Sequence, residues 1–161
     1  MAVTSDIART WSAPGTVVAR HLAAGRREDR ALVFLMLACL ILFVARWPAL
    51  SRQATLTGAE LPQLVTYALF GALVVLPLVF YGLAALIFLI ARAVWPGITP
   101  FAARLCLFWA LLAASPAALL WGLANGFIGP GPQAVLTGML WCGAVTWFLI
   151  AGLRAAGRAG A

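Results

Sequence analysis

The side chains that most often carry chemistry are few in this chain and widely separated. Its 161 residues include one histidine, His21, and four carboxylates, three of which precede residue 31 while the fourth is Glu60. None of the four lies within an apolar stretch long enough to cross a bilayer, where a carboxylate usually marks a proton relay or a cation pathway. The sequence therefore disfavours an ion pump.

Nucleophiles and metal ligands form no recognisable motif either. Cys39, Cys106 and Cys142 lie in three different apolar segments without Cys-x-x-Cys or Cys/His spacing, so we expect buried free thiols rather than a metal site or a disulfide framework. His21 stands alone beside arginines and is expected to be a solvated interface residue. The chain has no GxSxG elbow, P-loop or GxGxxG motif. We predict no catalytic residue, no cofactor and no metal, and hence no enzyme.

Four apolar stretches make up most of the chain, and they must position any functional residues. Hydrophobic residues account for 65% of the sequence and charged residues for 9%, against roughly a quarter charged in soluble domains. Crossing a bilayer takes about 20 apolar residues in a helix, because the backbone polar groups must be satisfied within the segment. We predict an all-α polytopic membrane protein: a cytoplasmic arm (1–30), a helical bundle (31–153) and a cytoplasmic tail (154–161). The predicted spans are about 31–50, 65–91, 104–123 and 134–153.

The distribution of arginines predicts the orientation in the membrane. All eleven basic residues are arginine, and Arg46 and Arg52 alone fall on one predicted side. By the positive-inside rule the other side, with both termini, is cytoplasmic. The absence of lysine and the abundance of alanine and glycine suggest a bacterial gene, so we expect the inner membrane. The net charge of +7 follows these membrane flanks and predicts no nucleic-acid partner. The nine cytoplasmic residues are Arg9, Arg20, Arg26, Arg27, Arg30, Arg92, Arg104, Arg154 and Arg158.

The arm has an amphipathic pattern of its own. Ile7 and Trp11 are four residues apart, and Val18 and Leu22 repeat this spacing after a Pro-Gly break. One interpretation is that the segment lies in the membrane interface, with its apolar stripe in lipid and its arginines near anionic headgroups. The alternative is a partly ordered tail that covers the cytoplasmic ends of the bundle. The predicted membrane-interface residues are Ile7, Trp11, Arg20, Leu22, Arg26 and Arg27.

Two prolines interrupt predicted spans. The second span, if one helix, is near 40 Å long by the usual rise of about 1.5 Å per residue, and Pro77 near its middle predicts a kink. Pro116, after Ser115, predicts a second kink in the third span. Such prolines are usually structural and in some proteins mark a hinge.

A row of small residues marks one face of the third span. Ala114, Ala118, Gly122 and Gly126 are spaced by four, so they fall on nearly one side of a helix. Small residues let helix backbones approach closely enough for van der Waals packing to hold them together in lipid. The row predicts an interface, either inside the bundle or with a partner.

The stretch PGITPFAARLCLFWALLAASPAALL, which begins at Pro96, resembles the core of the Yip family, the Ypt/Rab-interacting multi-spanning membrane proteins and their bacterial relatives. Trp11 and Pro14 ahead of a basic stretch are similar to the way many bacterial members begin. The resemblance implies an all-helical membrane domain. The family usually has five spans where four are counted here, and the acidic DLYGP-like motif of eukaryotic members is absent, so no GTPase partner is implied.

These features predict a non-enzymatic integral membrane protein that organises or assists a membrane assembly through helix packing. Its expected partners are the lipid bilayer and other integral membrane proteins or further copies of itself, with no evident small-molecule substrate. The alternative is a small oligomeric transporter or permease for a neutral solute. In that case Pro77 and Pro116 would be hinges. The path would be lined by Tyr67, Tyr81, Ser115 and Asn125.

Overall fold

The computed structural model describes residues 3–159, all of whose regular structure is helical. This confirms the predicted all-α class. Residues 1–2 of the predicted arm and 160–161 of the predicted tail lie outside the described residues. The helices are α1 (Val3–Ser12), α2 (Pro14–Ala23), α3 (Glu28–Thr57), α4 (Leu61–Phe70), α5 (Leu76–Val94), α6 (Pro100–Ala113), α7 (Ser115–Leu123) and α8 (Pro132–Ala159), with π-helical turns at Gly71–Val75 and Ala124–Ile128.

The long helices are suited to a membrane by length and composition. Three of them, Glu28–Thr57, Leu61–Val94 and Pro132–Arg158, are long and apolar enough to cross a bilayer, and a fourth span results if α6 and α7 are taken together. Each extends beyond its predicted bounds by several residues. The predicted tail from residue 154 continues α8 as far as Ala159, so Arg154 and Arg158 lie on this helix.

The second span is one continuous helix, Leu61–Val94, which changes its winding rather than breaking. Leu76 donates its backbone N–H to the carbonyl of Gly71, five residues earlier, which closes a π-helical turn just before Pro77. A proline removes one backbone donor from a helix, and a local π-helical turn is one way in which a helix accommodates such an irregularity. We call the whole of Leu61–Val94 the α4–α5 helix.

The third span bends by 45° between α6 and α7, directly before Pro116. Thr99 begins α6 by accepting a hydrogen bond from the N–H of Ala102, and Pro100 follows as the first helical residue. Both choices are typical of a helix N-terminus. At the bend the N–H of Ala117 bonds to the carbonyl of Ala114, so the carbonyl of Ala113 is left without its usual helical partner.

Helix α6 is the centre of the molecule. Twelve of its fourteen residues are buried, from Phe101 to Ala113 with the exception of Arg104. Helices α1, α2, α3, α5 and α8 all contact it. Its side chains, among them Phe108, Trp109 and Leu112, are therefore buried on all sides of the helix and form the core of the protein.

The two ends of the bundle differ. At one end Glu28 on α3 pairs with Arg104 on α6 at 2.6 Å, and a Cβ added to Gly157 of α8 would lie 2.7 Å from the ring of Trp95, just beyond α5. The N-terminal helices pack at this end, which we call the arm end. At the opposite, far end Arg52 of α3 donates to the carbonyl of Phe127 at 3.5 Å.

Candidate functional site

The arm forms two short helices, α1 and α2, that pack on the bundle. Ile7 and Leu22 contact the buried core, and Val17 and Val18 are themselves almost fully buried. The stripe of apolar residues therefore faces α6 and α8. The arm covers the bundle, as in the alternative of a tail over the ends of the helices, but it is helical rather than partly ordered. Arg26 and Arg27 are exposed beside the start of α3.

A chain of hydrogen bonds ties α1 to α6. The buried indole of Trp109 donates to the hydroxyl of Thr10 at 3.1 Å, and this hydroxyl donates to the backbone carbonyl of Asp6 at 2.8 Å. The carboxylate of Asp6, which is 7% exposed, forms an ion pair with Arg20 on α2 at 2.5 Å. A buried carboxylate with a charged partner is far less costly than an isolated one. These contacts hold α1, α2 and α6 together.

His21 is enclosed rather than solvated, so the expectation for this residue was wrong. Its ring lies 4.6 Å from that of Trp109 and 5.3 Å from that of Phe34, and its Nε2 is 3.8 Å from a carboxylate oxygen of Asp6. Burial lowers the pKa of His21, an effect that Asp6 opposes. The reason is that α2 folds back over the arm end of α6, a tertiary contact that its arginine neighbours in the sequence do not reveal.

Trp11 provides a second link between the arm and α6. Its indole N–H donates to the carbonyl of Ala113 at 3.1 Å, and its ring packs edge-on against Phe148 of α8. This is the carbonyl that the bend before Pro116 deprives of a helical donor. A buried carbonyl without a donor is costly, so Trp11 compensates for part of the disruption at the bend.

The four-residue row of small side chains lies inside the bundle. Ala114, Ala118, Gly122 and Gly126 are all buried. A Cβ added to Gly122 would lie 2.0 Å from the carbonyl oxygen of Ala45, and one added to Gly126 would lie 2.2 Å from the Cβ of Pro48. Here α3 and the third span are in backbone contact, as small residues permit. This face is therefore occupied within the chain.

The α4–α5 helix is the least buried of the three long apolar helices among the described residues. Only 6% of an apolar 18-residue stretch of this helix is buried, against 44% for α3 and 17% for α8. Leu78, Leu86 and Leu89 project outward with 74%, 53% and 63% of their surface exposed. Gly82 lies among them, and a Cβ added there would meet nothing within 4 Å. Sequence reasoning did not single out this face, because an apolar residue facing lipid and one facing a helix look alike.

The residues proposed to line a transport path are not brought together. Tyr67 is 67% exposed beside a cavity between α3 and α4, whereas Tyr81 packs against Phe108. Ser115 is buried at the bend, and Asn125 donates to the carbonyl of Trp121 beside a separate far-end cavity. Tyr67 and Asn125 thus line two different cavities, and the contacts of Tyr81 and Ser115 lie elsewhere in the bundle.

The three cysteines are free, and Cys39 and Cys106 are buried as expected. Cys142 is exposed, contrary to that expectation, because it lies on the outward side of α8. Among the described residues, no three His, Cys, Asp or Glu side chains are grouped so that they could hold a metal ion.

Comparison with known proteins finds no matching family model, no matching curated protein and no matching solved structure.

Proposed function

We propose that this protein is a non-enzymatic accessory subunit of a membrane assembly, and that the exposed face of the α4–α5 helix is its contact with other membrane helices. The observation that carries this proposal is the difference in burial between helix α6 and the α4–α5 helix. Helix α6 is enclosed by its own chain, while the α4–α5 helix contributes little of its apolar surface to the fold. Such an arrangement is suited to a rigid core that presents one helix to a partner.

The proposed orientation places the arm end in the cytoplasm of a bacterium. It is supported by the arginine distribution, since Arg20, Arg104, Arg154 and Arg158 lie at or near the arm end and Arg52 lies at the far end. The positive-inside rule favours this orientation in the inner membrane. The Yip-like stretch from Pro96 belongs mostly to the enclosed core, so the resemblance supports a shared scaffold and leaves the partner to be identified.

The test compares bulky substitutions at three glycines with different surroundings. Gly82→Leu adds a side chain on the proposed contact face, Gly143→Leu adds one on the open side of α8, and Gly122→Leu adds one between α3 and α7. The tagged full-length protein is purified from its native membrane in mild detergent, and co-purifying membrane proteins and thermal stability are both measured. We expect Gly82→Leu to lose the co-purifying proteins with unchanged stability, because lipid tolerates leucine and a packed helix does not.

Gly143→Leu should retain both the co-purifying proteins and the stability of the native chain. Gly122→Leu should lower stability whatever the partner, because it forces two helices of the same chain apart. Unchanged co-purification in Gly82→Leu, or equal loss in Gly143→Leu, would show that the α4–α5 face is not the contact. A homo-oligomer that Gly82→Leu converts to monomer would identify a second copy as the partner.

A further inference from the structure

We infer that a groove between α2 and α8 binds one anionic phospholipid of the leaflet at the arm end. The groove has a volume of about 520 Å³ and lies where the arm packs along the last turns of α8. Its floor is made of small residues, with Gly15 from α2 and Ala151 and Ala155 from α8.

Small residues leave space for an acyl chain along this floor. A Cβ added to Gly15 would stand 3.5 Å from the carbonyl of Ala151 and 3.8 Å from the Cβ of Ala155, so the two helices are already close there. Ala19, by contrast, is exposed at the edge of the groove. The floor is therefore closed at the bottom and open to the side, as a bound lipid chain requires.

Two arginines provide the polar end of the groove. Arg154 and Arg158 are one helical turn apart on α8, both exposed, and both line it. Cationic clusters at the cytoplasmic surface attract anionic headgroups, and a phosphate accepts hydrogen bonds from more than one guanidinium.

The carboxylates at the arm end are already paired with other arginines. Asp6 pairs with Arg20, Glu28 with Arg104, and Asp29 with Arg27. Among residues 3–159, no ion pair is formed by Arg154 or Arg158. An anion is thus the complementary partner for these two side chains, and the apolar floor beside them fits a phospholipid rather than a free phosphate.

The experiment uses the full-length protein purified in a neutral detergent. Dioleoylphosphatidylglycerol, dioleoylphosphatidylcholine and inorganic phosphate are titrated separately, and bound lipid is counted by native mass spectrometry. We expect one tightly bound phosphatidylglycerol, weaker phosphatidylcholine binding and no competition by inorganic phosphate at equal concentration. The double substitution Arg154→Gln/Arg158→Gln should weaken phosphatidylglycerol binding by about 30-fold, as expected for two arginines near a charged surface.

Two further variants separate the groove from general attraction of charge. Arg92→Gln removes an exposed arginine of α5, outside the groove, and should leave the tight lipid in place. Ala19→Phe keeps both groove arginines but fills the open side, and should displace the lipid. Equal weakening by Arg92→Gln, retention of the lipid in Ala19→Phe, or displacement of the lipid by inorganic phosphate would each overturn the proposed site.

Discussion

The residues that hold the arm in place are polar groups on otherwise apolar helices. Thr10 is fully buried and links Asp6 to Trp109 through two hydrogen bonds. Asp6 and Thr10 are four residues apart, so a helical reading of α1 puts them on one face next to the Ile7 and Trp11 stripe. The spacing was available in the sequence, but nothing in it indicates that the indole of Trp109 on α6, 99 residues further along the chain, would complete these hydrogen bonds.

His21 should make docking of the arm sensitive to pH. Its pKa is lowered by burial, so the undocked arm binds a proton more readily than the docked arm. Stability from this group is therefore present above its ordinary pKa of about 6.5 and is lost as the pH falls through that value towards the lowered one. We expect hydrogen exchange in residues 3–23, corrected for the intrinsic rate, to be faster at pH 5.5 than at pH 7.5.

The control for this prediction is His21→Phe, which keeps a ring against Phe34 and Trp109 but cannot titrate. The difference between the two pH values should disappear in this variant. Equal protection of the native arm at both pH values would contradict the prediction, and so would a pH effect that persists in His21→Phe.

The spacing of small residues predicts which face of a helix is packed, but it does not predict which helix packs against that face. Four residues at intervals of four predicted a packing face on the third span, and the structure places that face against α3. The contact points on α3 are Ala45 and Pro48, which are three residues apart. No pattern in α3 marks them, because the crossing point of two helices depends on how both are placed in three dimensions.

The irregular turns were predictable only in part. The third span bends directly before Pro116, as predicted, whereas the second span has a π-helical turn ahead of Pro77 and the kink expected there stays a prediction. The π-helical winding ahead of Pro77 was not predicted, since a proline is compatible with a kink, a break or a change in winding. The choice among these depends on the neighbouring helices rather than on the proline.

Gly122→Ala should be the most sensitive test of the contact between α3 and α7. The new Cβ would stand 2.0 Å from the carbonyl oxygen of Ala45, a backbone atom that cannot move without displacing α3. Overpacking of this kind costs about 1–3 kcal/mol. We expect a lower Tm for the purified protein in detergent.

The matched control is Gly143→Ala, where a Cβ meets nothing within 4 Å and stability should be unchanged or slightly higher. Similar Tm values for the two variants would mean that α3 and α7 are not in backbone contact.

At the scale of the whole molecule, hydrophobicity determines most of what could be predicted. The four apolar stretches correspond to α3, the α4–α5 helix, the bent α6–α7 pair and α8, because backbone in lipid has few alternatives to a helix. Which span would be central could not be predicted, since all four are apolar all round. The enclosure of α6 depends on the arm, whose two short helices cover a side that the other spans leave open.

The topology of the chain follows from these helices and can be tested directly. With four spans, both described ends of the chain lie at the arm end, and the arginine bias predicts that this end is cytoplasmic. Reporter fusions that end near Gly58 and Gly131 should therefore read as periplasmic, and fusions near Gly97 and after Arg158 as cytoplasmic.

The Gly97 fusion is the critical one, because it follows the α4–α5 helix. At about 51 Å for 34 residues, this helix exceeds the roughly 30 Å hydrocarbon core and must tilt or project from it. A periplasmic signal at Gly97 together with a periplasmic signal at Gly58 would show that this helix does not cross the membrane. Reversal of all four signals would instead retain the four spans and invert the proposed orientation.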